Sequence, residues 1–560
     1  MQMKKKLIGI GVPDFLKISN IENFQALTSN VLSDTSNFNL AQFLLAKQKK
    51  IGNRTALIVV DEVGKKQTVS YQALDEKVRM AACQIKALNF PKQAVIALQS
   101  DKVEEFLVFF LALNWLGLVP VPLILSLNKN ELEFILQDCQ AEAFLCFRRE
   151  ESAISLPHHC RKISRMMLPS VNDLNSLTNI VITKKEDPAF IFYTSGSSGL
   201  PKGVVHAQRV ILGRLPSLEN WITLNESDIV MQTDNLCWTY SMFTGFLDPL
   251  FVGATAVIIE HSHLSSLAEN EMTAEAWFKI IKNCQVTVMA STPDIYCTLL
   301  AAKKFDLADC SSLRQAGCAG AFLKKEVQAD WVAHFGFPIF IALGMSEIST
   351  FISTGPKVAY RSQALGKIQP GRKVTILPVN EQGHSPGCGE QGILAVHKTE
   401  LGLMLNYVGT SAGDKAHWRG DWFLTQDKVS YDDEQYIYYH GRIDNIVKVG
   451  GGFRVSPLAI EEEIKQFSDI DNAVCDVIYE EKTGSDQLIA YLVSSKMDPS
   501  ALLELYEYLK NHLSDYELPL YFYYVENFPL TSRGKIARYK ISESRIIKKY
   551  RVVEGRIQAF

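Results

Sequence analysis

Apolar and polar positions along the chain follow two alternating patterns. Short apolar runs at residues 94–98, 254–259 and 286–290 read as strands, and stretches such as residues 71–88, with apolar side chains at helical spacing, lie between them. The rhythm is that of an α/β protein. Residues 106–127 form 22 positions without a charge, long enough on paper to cross a bilayer. Gly117, Pro120 and Pro122 interrupt that run, so it reads as a buried helix followed by a short buried strand. From about residue 366 to 408 the pattern shortens into β-like pieces punctuated by Gly and Pro, as in NEQGHSPGCGEQG. Beyond residue 439 two helices are expected: residues 458–467, opened by Ser456 and Pro457, and residues 501–513, opened by Asp498 and Pro499, with Leu502, Leu505, Leu509 and Leu513 on one face. The expected division is a large domain over residues 1–440, β-rich from about 366 to 440, and a small domain over residues 446–560.

Composition narrows the classes open to such a chain. With 58 Lys and Arg against 61 Asp and Glu in 560 residues, the net charge of −3 lacks the basic excess of a nucleic-acid binder. Eleven cysteines with no CxxC pair argue against a zinc ribbon or a disulfide framework and suit a reducing cytoplasm. His158, His159 and Cys160 have no second cluster at ligand spacing and read as a polar loop. The apolar run at residues 7–12 is too short for a secretion signal.

The most unusual stretch is FYTSGSSGLPKGVVH at residues 192–206. Thr194, Ser195, Gly196, Ser197, Ser198 and Gly199 offer successive N–H and hydroxyl donors, and Lys202 adds a positive charge, a set that suits polyphosphate oxygens. A flexible surface turn is the plainer reading of such a loop. A Walker A loop would need Ser or Thr after the lysine and a helix beyond it, whereas GVVH reads as a second strand.

The stretch resembles the phosphate loop of the adenylate-forming superfamily of acyl-CoA synthetases, free-standing adenylation enzymes and luciferases. Further similar motifs follow in that family's order: ALGMSEIS at 342–349, DWFLTQD at 421–427, GRIDNIVK at 441–448 and PLTSRGKIAR at 529–538. The resemblance covers nearly the whole chain from residue 39. It implies a large N-terminal domain of two α/β subdomains plus a distorted β-barrel, and a small mobile C-terminal α+β domain. It also implies a two-step reaction, in which a carboxylate and ATP give an acyl-adenylate and pyrophosphate, and a thiol then displaces AMP. By the same resemblance Thr194 to Gly199 and Lys202 grip the phosphates, Glu347 helps to hold Mg²⁺, and Gly344, Met345 and Ser346 lie beside it. Ala319, Gly320 and Ala321 line the adenine. Asp427 binds the ribose, although Gln426 stands where the family usually has glycine, and Arg442 adds a ribose or phosphate contact, a surface ion pair being the plainer role. Lys535 is the catalytic lysine. Asp444, within residues 441–445, is the hinge about which the small domain swings. Gly450, Gly451 and Gly452 stretch the family's loop by one residue, which bears on the thiol step.

The acid is read from the segment before VGAT. Amino-acid-activating relatives carry an Asp where this chain has Tyr240, so an α-amino acid is not expected. Trp238, Thr239, Tyr240 and Phe243 are candidates for the acyl pocket, with plain core aromatics as the alternative, and their spacing is similar to that of benzoate-CoA ligases. An aromatic or short acyl acid is expected, with CoA as the acceptor. An acyl carrier protein bearing phosphopantetheine is the alternative acceptor, and a non-catalytic relative a more remote reading.

Overall fold

The computed structural model describes residues 37–560 except 47, 62–63, 126, 128, 149–155, 171–181, 196–200, 261–271, 303–309, 381–382, 410–416, 444–446, 450–452, 481–484, 514–516, 531–535, 554–555 and 560. The chain divides into two compact units. One comprises Met1–Val374 with Val396–Asp421, the other Thr375–Ala395 with Trp422–Phe560. Residues 441–443 thus lie inside the second unit, and Asp444 lies outside the described residues.

The first unit is built on two sheets with parallel cores. The smaller runs Val119–Pro122, Val95–Ser100, Ala143–Phe147, Arg161–Ile163, all parallel. The larger places Thr55–Val60, Thr255–Ile259, Ile229–Gln232, Val288–Ser291, Gln315–Cys318 and Ile339–Met345 side by side in parallel. Antiparallel strands flank them: Lys66–Ser70 on one side, Ser349–Ser353 and Ala364–Ile368 on the other. Parallel strands covered on both faces are apolar nearly throughout, as in Thr55–Val60, Ala143–Phe147 and Thr255–Ile259. The long uncharged stretch becomes the helix Val103–Trp115 followed by the strand Val119–Pro122, both buried almost throughout. Gly117, at φ 67°, makes the break that a side chain would resist. No helix among the described residues is long and apolar enough to cross a membrane.

The second unit contains a five-stranded sheet in the order Asn472–Glu480, Ser485–Val493, Tyr521–Val525, Ile546–Val553, Arg556–Ala559. Both expected helices are present, somewhat shorter than read. Pro457–Ile464 is capped by the Ser456 hydroxyl and Pro499–Lys510 by the Asp498 carboxylate. Ile460, Ile464, Leu502, Leu505 and Leu509 share one core with the sheet residues Leu488, Ala490 and Phe522. The tail beyond Lys540, unread from the sequence, adds the last two strands of that sheet.

Candidate active site

Three of the candidate segments follow or end parallel strands of the larger sheet. Residues 233–240 come after Ile229–Gln232, Ala319–Ala321 after Gln315–Cys318, and Gly344–Glu347 at the end of Ile339–Met345. Ligands of open α/β sheets bind outside the carboxyl ends of such strands, where loops converge without blocking the sheet. Topology has therefore gathered residues more than a hundred positions apart.

The phosphate-loop candidate leaves one strand of a hairpin and re-enters the other. Pro188–Ser195 pairs antiparallel with Pro201–Ala207, Thr194 standing opposite Lys202, as read from GVVH and unlike a Walker A loop. Thr194 Oγ1 lies 3.5 Å from the Lys202 carbonyl. Gly196, Ser197, Ser198 and Gly199 lie outside the described residues, as does the side chain of Ser195. Lys202 is exposed, and its ammonium sits 5.8 Å from the centroid of the Tyr407 ring. The hairpin base is anchored by Tyr193, whose hydroxyl donates to Asp138 at 2.5 Å. Gly203 is dictated by packing: a Cβ there would fall 2.6 Å from Val408 Cγ2 and 2.9 Å from Tyr193 Cζ.

Glu347 is half-buried. Its carboxylate accepts a hydrogen bond from the Tyr407 hydroxyl at 2.6 Å, and its carbonyl accepts from the Met404 N–H at 2.7 Å. Its neighbour Ser346 is a junction. The Ser346 carbonyl accepts from His206 Nε2 at 2.8 Å, and its hydroxyl lies 3.2 Å from Thr239 Oγ1. The phosphate hairpin and the acyl-pocket segment thus meet on the residue before the candidate metal carboxylate. His206 is fully buried between the rings of Phe190 and Phe243, and burial pushes its pKa down to about 4. A neutral imidazole with Nε2 donating follows, and Nδ1 has no hydrogen-bond partner among the described residues.

The candidate acyl segment is a helix with a π turn. Thr239–Met242 is α-helical, Phe243–Leu247 is π-helical and Asp248–Val252 is α-helical again. Such turns recur at functional sites because the widened turn re-aims side chains. Trp238 precedes it, with a buried Nε1 lacking a partner among the described residues. Tyr240 donates its hydroxyl to the Ser291 carbonyl at 3.1 Å and packs against Trp221. Phe243 is wholly buried, with Arg214 5.1 Å from its ring.

Behind these loops lies a buried ionic network that the sequence reading missed. Arg214 pairs with Asp248 at 2.6 Å and reaches Ser349 and Thr350, just past the GMSE segment. Arg372 pairs with Glu400 at 3.1 Å and donates to the Thr350 carbonyl and Ser217. Arg209 donates to the carbonyls of Leu401 and Leu403. The available signal was a charge inside an apolar run, as with Arg209 and Arg214 in RVILGRL or Asp248 in FTGFLDPLF, since such charges are buried only when paired.

In the second unit Asp427 and Arg442 face each other across adjacent antiparallel strands, with Arg442 Nη1 3.6 Å from Asp427 Oδ1. Gln426, within the strand Trp422–Tyr431, sits at φ 68°, the left-handed conformation that glycine adopts without strain. Lys535, Asp444 and Gly450, Gly451 and Gly452 lie outside the described residues. On either side of Lys535, Leu530 and Ile536 form an antiparallel bridge and the Ala537 N–H donates to the Pro529 carbonyl. Arg538, just beyond, donates to the fully buried carboxylate of Glu461.

An antiparallel hairpin that carries the Gly/Ser-rich loop and Lys202, together with a carboxylate just past the end of a parallel strand, is a set of groups suited to a nucleotide polyphosphate. The model for AMP-binding enzymes matches residues 45–408, and the chain belongs to that family. It is 27% identical over 512 residues to the uncharacterised acyl–CoA ligase YtcI of Bacillus subtilis, covering 89% of this chain and 94% of that one. It is 26% identical over 507 residues to the 4-hydroxybenzoate–CoA/benzoate–CoA ligase of Rhodopseudomonas palustris, covering 85% and 89%. A benzoate CoA ligase structure from Burkholderia xenovorans superposes with a TM-score of 0.73 at 25% identity, covering 90% of this chain and 99% of that one. The chain is accordingly an ATP-dependent, AMP-forming acid–thiol ligase of the acyl-CoA synthetase class, which uses ATP and CoA. The carrier-protein alternative finds no support in these relatives.

Proposed function

We propose that the acid is aromatic and that the chain makes its CoA thioester in two steps through an aryl-adenylate. In the first, a carboxylate oxygen attacks the α-phosphorus of ATP and pyrophosphate leaves. In the second, the CoA sulfur attacks the acyl carbon and AMP leaves. The observation that carries this reading is the junction at Ser346, which ties the Trp238–Tyr240 segment through Thr239 to the phosphate hairpin through His206, directly before Glu347. Tyr240 fills the place of an amino-acid-binding carboxylate, and its hydroxyl is already engaged by Ser291. The indole N–H of Trp238, without a partner among the described residues, is a donor that a substrate oxygen would satisfy.

Lys202 and the residues Thr194 to Gly199 bind the β and γ phosphates, and Ala319 to Ala321 lie along the adenine. Asp427, with Arg442, takes the ribose hydroxyls, since a carboxylate accepts from two of them at once. Lys535 stabilises the charge that builds between carboxylate and α-phosphate. A swing about Asp444 then withdraws it, and the loop at Gly450 to Gly452 admits the pantetheine thiol. Mg²⁺ fits Glu347, a half-buried carboxylate with one oxygen engaged by Tyr407, because Mg²⁺ commonly binds one or two carboxylates plus substrate phosphates. When bound it would neutralise phosphate charge.

The test is acid-dependent ATP/pyrophosphate exchange without thiol over aromatic, short, long-chain and amino acids, followed by addition of CoA. Exchange with benzoate-type acids, lost in Lys535→Ala, is expected. Exchange confined to aliphatic or amino acids would refute the aromatic assignment, and undiminished exchange in Lys535→Ala would refute the lysine's role.

A further inference from the structure

Residues 404–408 form a strap across the bases of both loops that are proposed to meet ATP. The Met404 N–H donates to the Glu347 carbonyl at 2.7 Å, the Leu405 N–H to the Val205 carbonyl at 2.8 Å, and the Val408 N–H to the Gly203 carbonyl at 2.8 Å. Asn406–Tyr407 pairs antiparallel with the second strand of the phosphate hairpin, Tyr407 opposite Val204. At the centre, one side chain touches both charged groups: the Tyr407 hydroxyl donates to Glu347 Oε1 at 2.6 Å, and the Tyr407 ring lies 5.8 Å from Lys202 Nζ.

We infer that Tyr407 is a positioning residue for Mg²⁺–ATP, holding the Glu347 carboxylate in place with one oxygen engaged and the other left for the metal. This rests on the reading that Glu347 binds Mg²⁺. A half-buried glutamate left to itself samples several rotamers, and a metal that demands fixed geometry must arrest them. The Tyr407 hydroxyl arrests them beforehand, and hydrogen bonds to a charged acceptor are the strong kind. The ring faces the lysine, so one rigid group sets both the positive and the negative partner of the same ligand. The strap does not depend on that hydroxyl, because its backbone bonds to Gly203, Val205 and Glu347 hold it independently. Tyr407→Phe therefore removes the hydroxyl's contact with the carboxylate and leaves the strap in place.

The experiment is equilibrium binding of ATP by calorimetry, with and without Mg²⁺, on the wild type, Tyr407→Phe, Glu347→Gln and the double variant, with thermal unfolding of each recorded. Glu347→Gln should abolish the gain in affinity that Mg²⁺ confers. Tyr407→Phe should reduce that gain about tenfold, the worth of a hydrogen bond to a charged group. Binding without Mg²⁺ and the unfolding midpoint should stay unchanged in Tyr407→Phe, and the double variant should match Glu347→Gln, because residues acting through one another are not additive. If Glu347→Gln keeps the Mg²⁺ gain, the metal reading of Glu347 fails and the inference falls with it. If Glu347→Gln loses the gain while Tyr407→Phe keeps it, or if Tyr407→Phe lowers affinity equally with and without Mg²⁺, the positioning role alone is refuted.

Discussion

His206 should make the stability of this protein fall as pH drops below about 6.5. The imidazole is fully buried, and burial is the main force lowering its pKa from 6.5 to about 4, with the positive charge of Arg209 acting in the same direction. The bond to the Ser346 carbonyl favours the charged form but is too weak to reverse the effect. Between those two values the unfolded chain binds a proton that the native chain refuses, so stability rises with pH through this window and falls as pH drops. At about 1.36 kcal/mol per pH unit, the full difference is about 3 kcal/mol, and the part lost between pH 7.5 and 5.5 is about 1 kcal/mol. A proton on Nδ1 would also need an acceptor, and none stands there among the described residues. The perturbation is His206→Gln, whose amide still offers a donor toward Ser346 but does not titrate. Unfolding midpoints of wild type and variant, scanned identically from pH 5 to 8, should converge as pH falls, because the variant escapes the His206 penalty and the other ten histidines contribute to both. Parallel curves, or a ¹³C-histidine titration placing His206 near 6.5, would refute the reasoning.

Two further predictions concern the loops around the site. Gly203→Ala should cost about 1–3 kcal/mol, because the new methyl collides with Val408 and Tyr193, and Val408→Ala should restore part of it; unfolding midpoints of the two single variants and the double measure this, and absence of rescue would contradict the packing account. At Gln426 the left-handed backbone makes glycine nearly neutral in stability, whereas Gln426→Val should cost about 1–2 kcal/mol, read from the same unfolding assay and accompanied by weaker ATP binding.

Much of this protein was legible in its sequence. Elements whose burial is set locally could be read directly. The uncharged run at 106–127 broke where Gly117 and the prolines said it must, and the helices at Pro457 and Pro499 began at their capping residues, because caps and φ restrictions act within a few residues. The hairpin strands around the phosphate loop were readable for the same reason. Motif order then identified the family, since a polyphosphate site needs particular residue types in particular loops. The sequence could not show which distant side chains meet. Tyr407 on Glu347, His206 and Thr239 on Ser346, and the pairs Arg214–Asp248 and Arg372–Glu400 join residues from 28 to 140 positions apart. Only the tertiary fold puts them within hydrogen-bonding reach: in the larger sheet residues 288–291 stand between 229–232 and 315–318, with 339–345 beyond, while Tyr407 and His206 come from a separate three-stranded sheet. Burial is the physical reason that these contacts matter: away from water, an unpaired Arg or Asp costs several kcal/mol, so the fold selects partners that local sequence pattern cannot specify.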